Sequence, residues 1–159
     1  MAFILAADGR DDDVAGCFRR YRAYIARVAP LLPPGASSLL MSDWYFDFTD
    51  RRCPHDSWLE TAVLRERSSG NRGEARTLAL NVRLRDAYHD GHIEIEYPLV
   101  YSYSLAADDS SDGHRDWRYD ELRLSDRGRL IHEIEWSGAA DTGRWIIEAN
   151  DIAFRWIAD

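Results

Sequence analysis

Five histidines, two cysteines and 28 acidic residues are the groups in this 159-residue chain that could do chemistry. Cys53 and His55 stand two apart, the types needed for a thiolate–imidazole pair. Pro54 between them holds Cys53 in an extended conformation, and catalytic pairs are normally assembled by the fold rather than by sequence adjacency. His89 and His92 flank Asp90-Gly91, with Asp86 nearby. Imidazoles three apart can converge on a metal, but no third or fourth ligand follows at a defined spacing, so they read as cross-strand neighbours at a hairpin tip. His132 lies between Leu130 and Ile134 on an apolar face, where a buried, hydrogen-bonded histidine is expected. Glu94, Glu96, Glu133, Glu135 and Glu148 alternate with apolar residues. Paired carboxylates can perform acid–base work in a cleft. On an open sheet face they are solvated or bind a partner. No catalytic residue, metal or cofactor is assigned.

The elements carrying these groups are mostly strands. From Ile93 to Leu105 every odd residue is apolar, a period of two that demands a long half-buried β-strand. Leu78, Leu80, Val82 and Leu84 alternate in the opposite parity. Asp90-Gly91 suits a two-residue type I′ turn. That turn would set Leu80 opposite Tyr101 and Arg85 opposite Glu96. A second hairpin runs through Ser125-Asp126-Arg127-Gly128, with Gly128 in the left-handed region. It pairs Leu124 with Leu130 and Leu122 with His132. The last two segments, 144–149 and 152–157, change phase near Asn150-Asp151, which predicts a bulge or a turn. Residues 106–116 form a polar, mobile loop.

Upstream, Val14, Phe18, Tyr21, Ile25 and Val28 mark one face of a helix over 11–29. Asp11 to Asp13 sit at its N-terminus and Pro30 ends it. Residues 31–38 read as a connector. Trp44-Tyr45-Phe46-Asp47-Phe48 reads as a strand or an irregular arm on the core, and 57–66 as a strand of uncertain phase. The expectation is a single α+β domain. An N-terminal helix and connector (1–40) pack on a curved, mostly antiparallel sheet meander of about six to eight strands (41–159).

Composition narrows the chemistry. All 20 basic residues are arginine, and lysine is absent, which excludes Schiff-base chemistry and a P-loop lysine. Residues 1–54 hold seven acids and seven arginines. The whole net charge of −8 therefore falls on residues 55–159. An acidic body disfavours nucleic acid and anionic membranes and suits a basic protein partner. No segment looks like a signal peptide or a membrane span, so a cytoplasmic protein with free thiols is expected.

His55-Asp56-x-Trp58-Leu59-Glu60, followed by a strand run, resembles small uncharacterised bacterial proteins of the immunity protein 50 type. Tyr119-Asp120-Glu121-Leu122-Arg123-Leu124 and His132-Glu133-Ile134-Glu135-Trp136 look like further elements of such proteins. The resemblance spans roughly residues 55–157. It implies tight binding and neutralisation of a cognate toxin, with His55 and Asp56 bracing the strand entrance. The expected function is therefore a non-enzymatic protein-binding module, an immunity-type antitoxin that meets a basic toxin. Its acidic sheet face would comprise Glu94, Glu96, Glu133 and Glu135, with Trp117 and Tyr119 as aromatic anchors. The alternatives are a small hydrolase using histidines and carboxylates of the sheet, or a homo-oligomeric structural protein. A homodimer is compatible with each.

Overall fold

A computed structural model describes residues 2–5, 10, 12–107, 111–137 and 142–159. Helix α1 covers Val14–Val28. The Asp13 side chain accepts the Gly16 amide at 2.8 Å, satisfying one free N–H of the first turn. Asp11 lies outside the described residues. Tyr21 and Ile25 are buried, Phe18 and Val28 pack partly, and Val14 stays exposed, so the apolar stripe is real but frays at its start. One 3-10 turn follows at Ala29–Leu31.

The expected connector is partly helical. Pro34–Leu40 forms a second short helix, α2. Its first turn begins with proline. Its free amides at Gly35 and Ala36 are taken by the Asp151 carboxylate, both at 3.0 Å. The capping group comes from more than a hundred residues away, so no local pattern announces it. Residues 41–57 make an irregular arm of turns, with Tyr45 and Cys53 buried.

Seven antiparallel strands follow: β1 Trp58–Ser69, β2 Ala75–Arg85, β3 Gly91–Ala106, β4 Asp116–Leu124, β5 Leu130–Ser137, β6 Thr142–Ala149 and β7 Ala153–Ala158. Their order is β2-β1-β4-β5-β6-β3-β7, and β2 also pairs with β3. Six of the strands therefore close a ring of pairings, with β7 alongside β3. The fold is α+β, a helix on an antiparallel sheet. Closure between β1 and β4 is a single pair, Trp58 with Asp116. The Asp56 amide donates to the Trp117 carbonyl, and the Trp117 amide donates to the Ser57 carbonyl, which extends it. Farther along the same edge of β4, phenols of α1 stand where a strand would be. The Tyr21 hydroxyl accepts the Leu122 amide at 2.6 Å and donates to the Leu122 carbonyl at 3.0 Å. The Tyr24 hydroxyl accepts the Leu124 amide at 2.9 Å. Phenols thus satisfy edge groups that would otherwise be buried unpaired.

The β4–β5 hairpin has the expected register, Leu122 with His132 and Leu124 with Leu130, around Gly128 at φ 70°. The β2–β3 hairpin does not. Leu80 faces Tyr97, Asn81 faces Glu96 and Arg85 faces His92, four residues away from the expected pairing. The cause is Asp86. This buried carboxylate accepts the amides of Tyr88 and Asp90 and the Trp156 indole N–H. It builds a five-residue loop, with His89 at φ 61°, in place of the Asp-Gly turn. A slip of four, an even number, does not by itself change the face a side chain takes.

β3 also departs from strict alternation. Ile93, Ile95 and Tyr97 are buried, then Val100, whereas Tyr101 and Tyr103 are 42% and 48% exposed. Two register irregularities bracket Val100. β6 and β7 lie along one edge of β3 as a single line broken at 150–152, the expected phase change. Within the break, Asn150 bonds Leu99 through both its amide and its side-chain oxygen. In the loop expected over 106–116, residues 108–110 lie outside the described residues. Ser111 and Gly113 make an isolated bridge.

Candidate functional site

Two constellations gather the polar residues. The first lies inside the ring. Tyr97 on β3, His132 on β5 and Asp120 on β4 form a chain of bonds. Tyr97 Oη is 2.7 Å from His132 Nδ1, and His132 Nε2 is 3.0 Å from Asp120 Oδ2. A carboxylate can only accept, so Nε2 donates to Asp120, and the phenol closes the chain of bonds at Nδ1. Asp120 also accepts the Trp117 indole N–H at 3.1 Å and the Tyr45 hydroxyl. His132 is thus the buried, hydrogen-bonded histidine that its apolar flanks predict.

The order phenol, imidazole, carboxylate is that of an activated nucleophile. Its environment opposes that use. Tyr97 is fully buried, and burial, followed by the charge of Asp120, holds its phenol well above the ordinary range. Tyr45 is raised for the same two reasons. Every group has a partner, and the chain of bonds ties β3, β4, β5 and the 41–57 arm into one unit.

Cys53 and His55 also lie near Asp120, around a cavity of about 20 Å³, room for roughly one water. Burial pushes the Cys53 thiol up to about 12, and Sγ is 3.3 Å from the Tyr45 carbonyl, so the group is a thiol at neutral pH. The His55 ring stacks on Phe48 with centroids 4.1 Å apart and lies 5.6 Å from Tyr119. Burial lowers its pKa, and its Nδ1 lies 3.1 Å from Asp56 Oδ1. Asp56 holds φ 63° where the chain enters β1, and its amide reaches the Trp117 carbonyl. His55 and Asp56 stand at the strand entrance.

The second constellation is on the outer surface, and it changes the expected acidic face. Glu133 faces Ile146, which faces Ser104 on β3, ten residues beyond Glu94. At about 3.3 Å per residue the Glu94/Glu96 and Glu133/Glu135 pairs stand roughly 30 Å apart, so they do not form one patch. Glu135 is only 2% exposed and lies against Arg10 and Arg144 at 2.9 and 3.2 Å. Glu133 contacts Arg123 and Arg144. Trp117 is 1% exposed, sealed in the core against Trp136 and His132, so it is no surface anchor. Tyr119 is half-buried beside Phe18 and His55. A cross-strand pattern reveals which face a residue takes, but not what later covers that face.

Glu94 and Glu96 do face outward. Rows across β1, β2, β3 and β7 read Thr61–Arg83–Glu94–Arg155 and Val63–Asn81–Glu96–Ala153. Arg83 lies 3.0 Å from Glu60 and 3.5 Å from Glu94, and Arg155 Nε donates to Glu94 at 2.7 Å. Arg67 stands 3.7 Å from Glu96. These rows border a groove of about 430 Å³. A neighbouring row, Trp58–Arg85–His92–Ile157, leaves Trp58 and Ile157 exposed by 44% and 38%. The exposure of Trp58 is not legible in the sequence. Its place in an outward row depends on the strand phase, which the adjacent Trp58-Leu59 leaves open.

No protein-family model, curated protein or solved structure matches this chain. Among the described residues, no group of three or more His, Cys, Asp or Glu is placed to hold a metal ion. No helix there is long and apolar enough to cross a membrane.

Proposed function

We propose that this chain is a non-enzymatic protein-binding module, an antitoxin of the immunity type, and that the outer face of β1, β2, β3 and β7 holds its partner. The observation that carries the reading is the pairing of an exposed Trp58 with a groove whose charges are already fixed in rows. Exposed aromatics beside a cleft supply binding energy, while ordered charges select the partner and speed encounter. The net charge of −8 favours a basic protein. The groups with nucleophile or base chemistry, Cys53, His132 and Tyr97, are buried and committed to internal bonds. That weighs against the hydrolase alternative.

The test starts from affinity capture by the tagged protein and identification of the captured chain. Its affinity is then measured for Trp58→Ala and for the double variant Glu94→Arg, Glu96→Arg, each checked for native circular dichroism. Trp58→Ala should weaken binding by tenfold or more, the scale of a roughly 2 kcal/mol anchor. The charge reversals should slow association, and salt should weaken the wild type. Undiminished binding by both variants refutes this face.

A further inference from the structure

We infer that the protruding end of the β1–β2 hairpin is a docking arm for a second copy of this chain. β2 pairs with β3 only from Leu78 onward. Beyond that point the hairpin is a two-stranded ribbon, Glu66 to Ser69 against Ala75 to Leu78, closed by a turn with Gly70 and Gly73 at positive φ. The β1 residues from Glu60 to Ser69 are all exposed, including Val63 at 46% and Leu64 at 39%. Among the described residues, the second edge of β1 has no strand partner beyond Trp58. A lone ribbon gains little stability from itself. An open edge flanked by apolar side chains is a template for another chain.

The charge identifies the occupant. The stretch 65–78 carries four arginines (Arg65, Arg67, Arg72 and Arg76) against two glutamates (Glu66 and Glu74), a surplus of two positive charges. The rest of the chain then carries −10. One internal pair, Arg76 with Glu66 at 3.0 Å, uses a single arginine of the ribbon, and Arg67 reaches back to Glu96. Arg65 and Arg72 are exposed on the arm. A basic arm on an acidic body complements a second identical molecule in both directions, as a two-fold interface requires. Nucleic acid would meet the same arm but be repelled by the body.

Sedimentation velocity of the full chain over a wide concentration range, at low and at high salt, tests this. A monomer–dimer equilibrium that high salt weakens is expected. The double variant Arg65→Glu, Arg72→Glu should weaken it by about tenfold or more while leaving circular dichroism unchanged. Hydrogen exchange of the concentrated wild type should slow in β1 and β2 relative to the dilute protein. A monomer at every concentration overturns the inference. So does a dimer indifferent to the variant, or retention of a mixed-sequence DNA duplex that the variant abolishes.

Discussion

The inside of the ring and its outer face use similar groups under opposite rules. Inside, a single carboxylate, Asp120, collects three donors from Tyr45, Trp117 and His132. Outside, Glu94 is shared by two arginines, and Arg83 is shared in turn by Glu60 and Glu94. In the buried cluster each bond replaces water that is no longer present, so losing one leaves a stranded group. On the surface, water and a second arginine stand ready. The same chemistry is therefore indispensable at one place and replaceable at the other. That leaves the outer charges free to serve recognition.

The sharpest way to break this contrast is to remove Asp120. Asp120→Ala strands the donors of Tyr45, Trp117 and His132 and, at about 1–2 kcal/mol per stranded donor, should cost about 3–5 kcal/mol of stability in urea unfolding. His132→Leu strands fewer groups and should cost about 2–3 kcal/mol. The double variant should fall short of the sum by about 1 kcal/mol or more, because the two share a bond. Additive losses would mean that the network does not act as a unit. At Cys53 the same seal should appear as chemical silence. At mildly alkaline pH, peptide-level mass spectrometry should find Cys53 alkylated only as fast as the chain unfolds. Rapid labelling of the native protein would show an open site.

Glu121 tests the rule at a second buried carboxylate. It is fully buried, and its Oε1 accepts the amides of Phe3, Ile4 and Leu5. Burial raises its pKa in spite of those bonds and of nearby Arg123. The folded value then exceeds the unfolded one. Holding the charge thus costs stability above the folded pKa, and the cost fades as pH falls towards the unfolded value. Glu121→Gln keeps an acceptor for the amides and removes that charge. Compared with this variant, the wild type should gain stability as the pH is lowered from neutral towards 5. A difference that does not move with pH would show that Glu121 is not held ionised at a cost.

Much of this was legible in the residues themselves. Alternation alone placed Glu94, Glu96, Glu133 and His132 on their observed faces, because a period of two assigns sides whatever the register. The β4–β5 register was legible as well, since Gly128 closes a turn that depends on its own four residues. The β2–β3 register was not, because Asp86 draws on the distant Trp156 indole to enlarge its loop. Helix α2 was hidden for the same reason, its cap being Asp151. The expected site failed where layers meet. Trp117 and Glu135 alternate like surface residues, yet a register irregularity between Trp117 and Tyr119 turns the first inward onto Trp136, and Arg10 and Arg144 cover the second. Burial by a remote segment leaves no local periodic trace.

The smallest expected effect is also the most discriminating. Glu94→Gln removes a carboxylate bonded by Arg155 and approached by Arg83, a contact that looks strong on distance alone. Arg155 is 71% exposed along its side chain, however, and Glu94 28%, so solvent screens the pair and the long arginine gives up rotamer freedom to form it. Arg83 keeps its 3.0 Å contact with Glu60 when Glu94 is neutral. Stability should therefore change by less than about 0.5 kcal/mol, and a double-mutant cycle with Arg155→Ala should yield a coupling no larger than that. High salt should shrink it further. A coupling above about 2 kcal/mol would make the outer rows part of the folding framework, like Asp120 inside. A near-zero coupling in the free protein, with a clear loss of partner affinity for the same variant, would assign those charges to recognition.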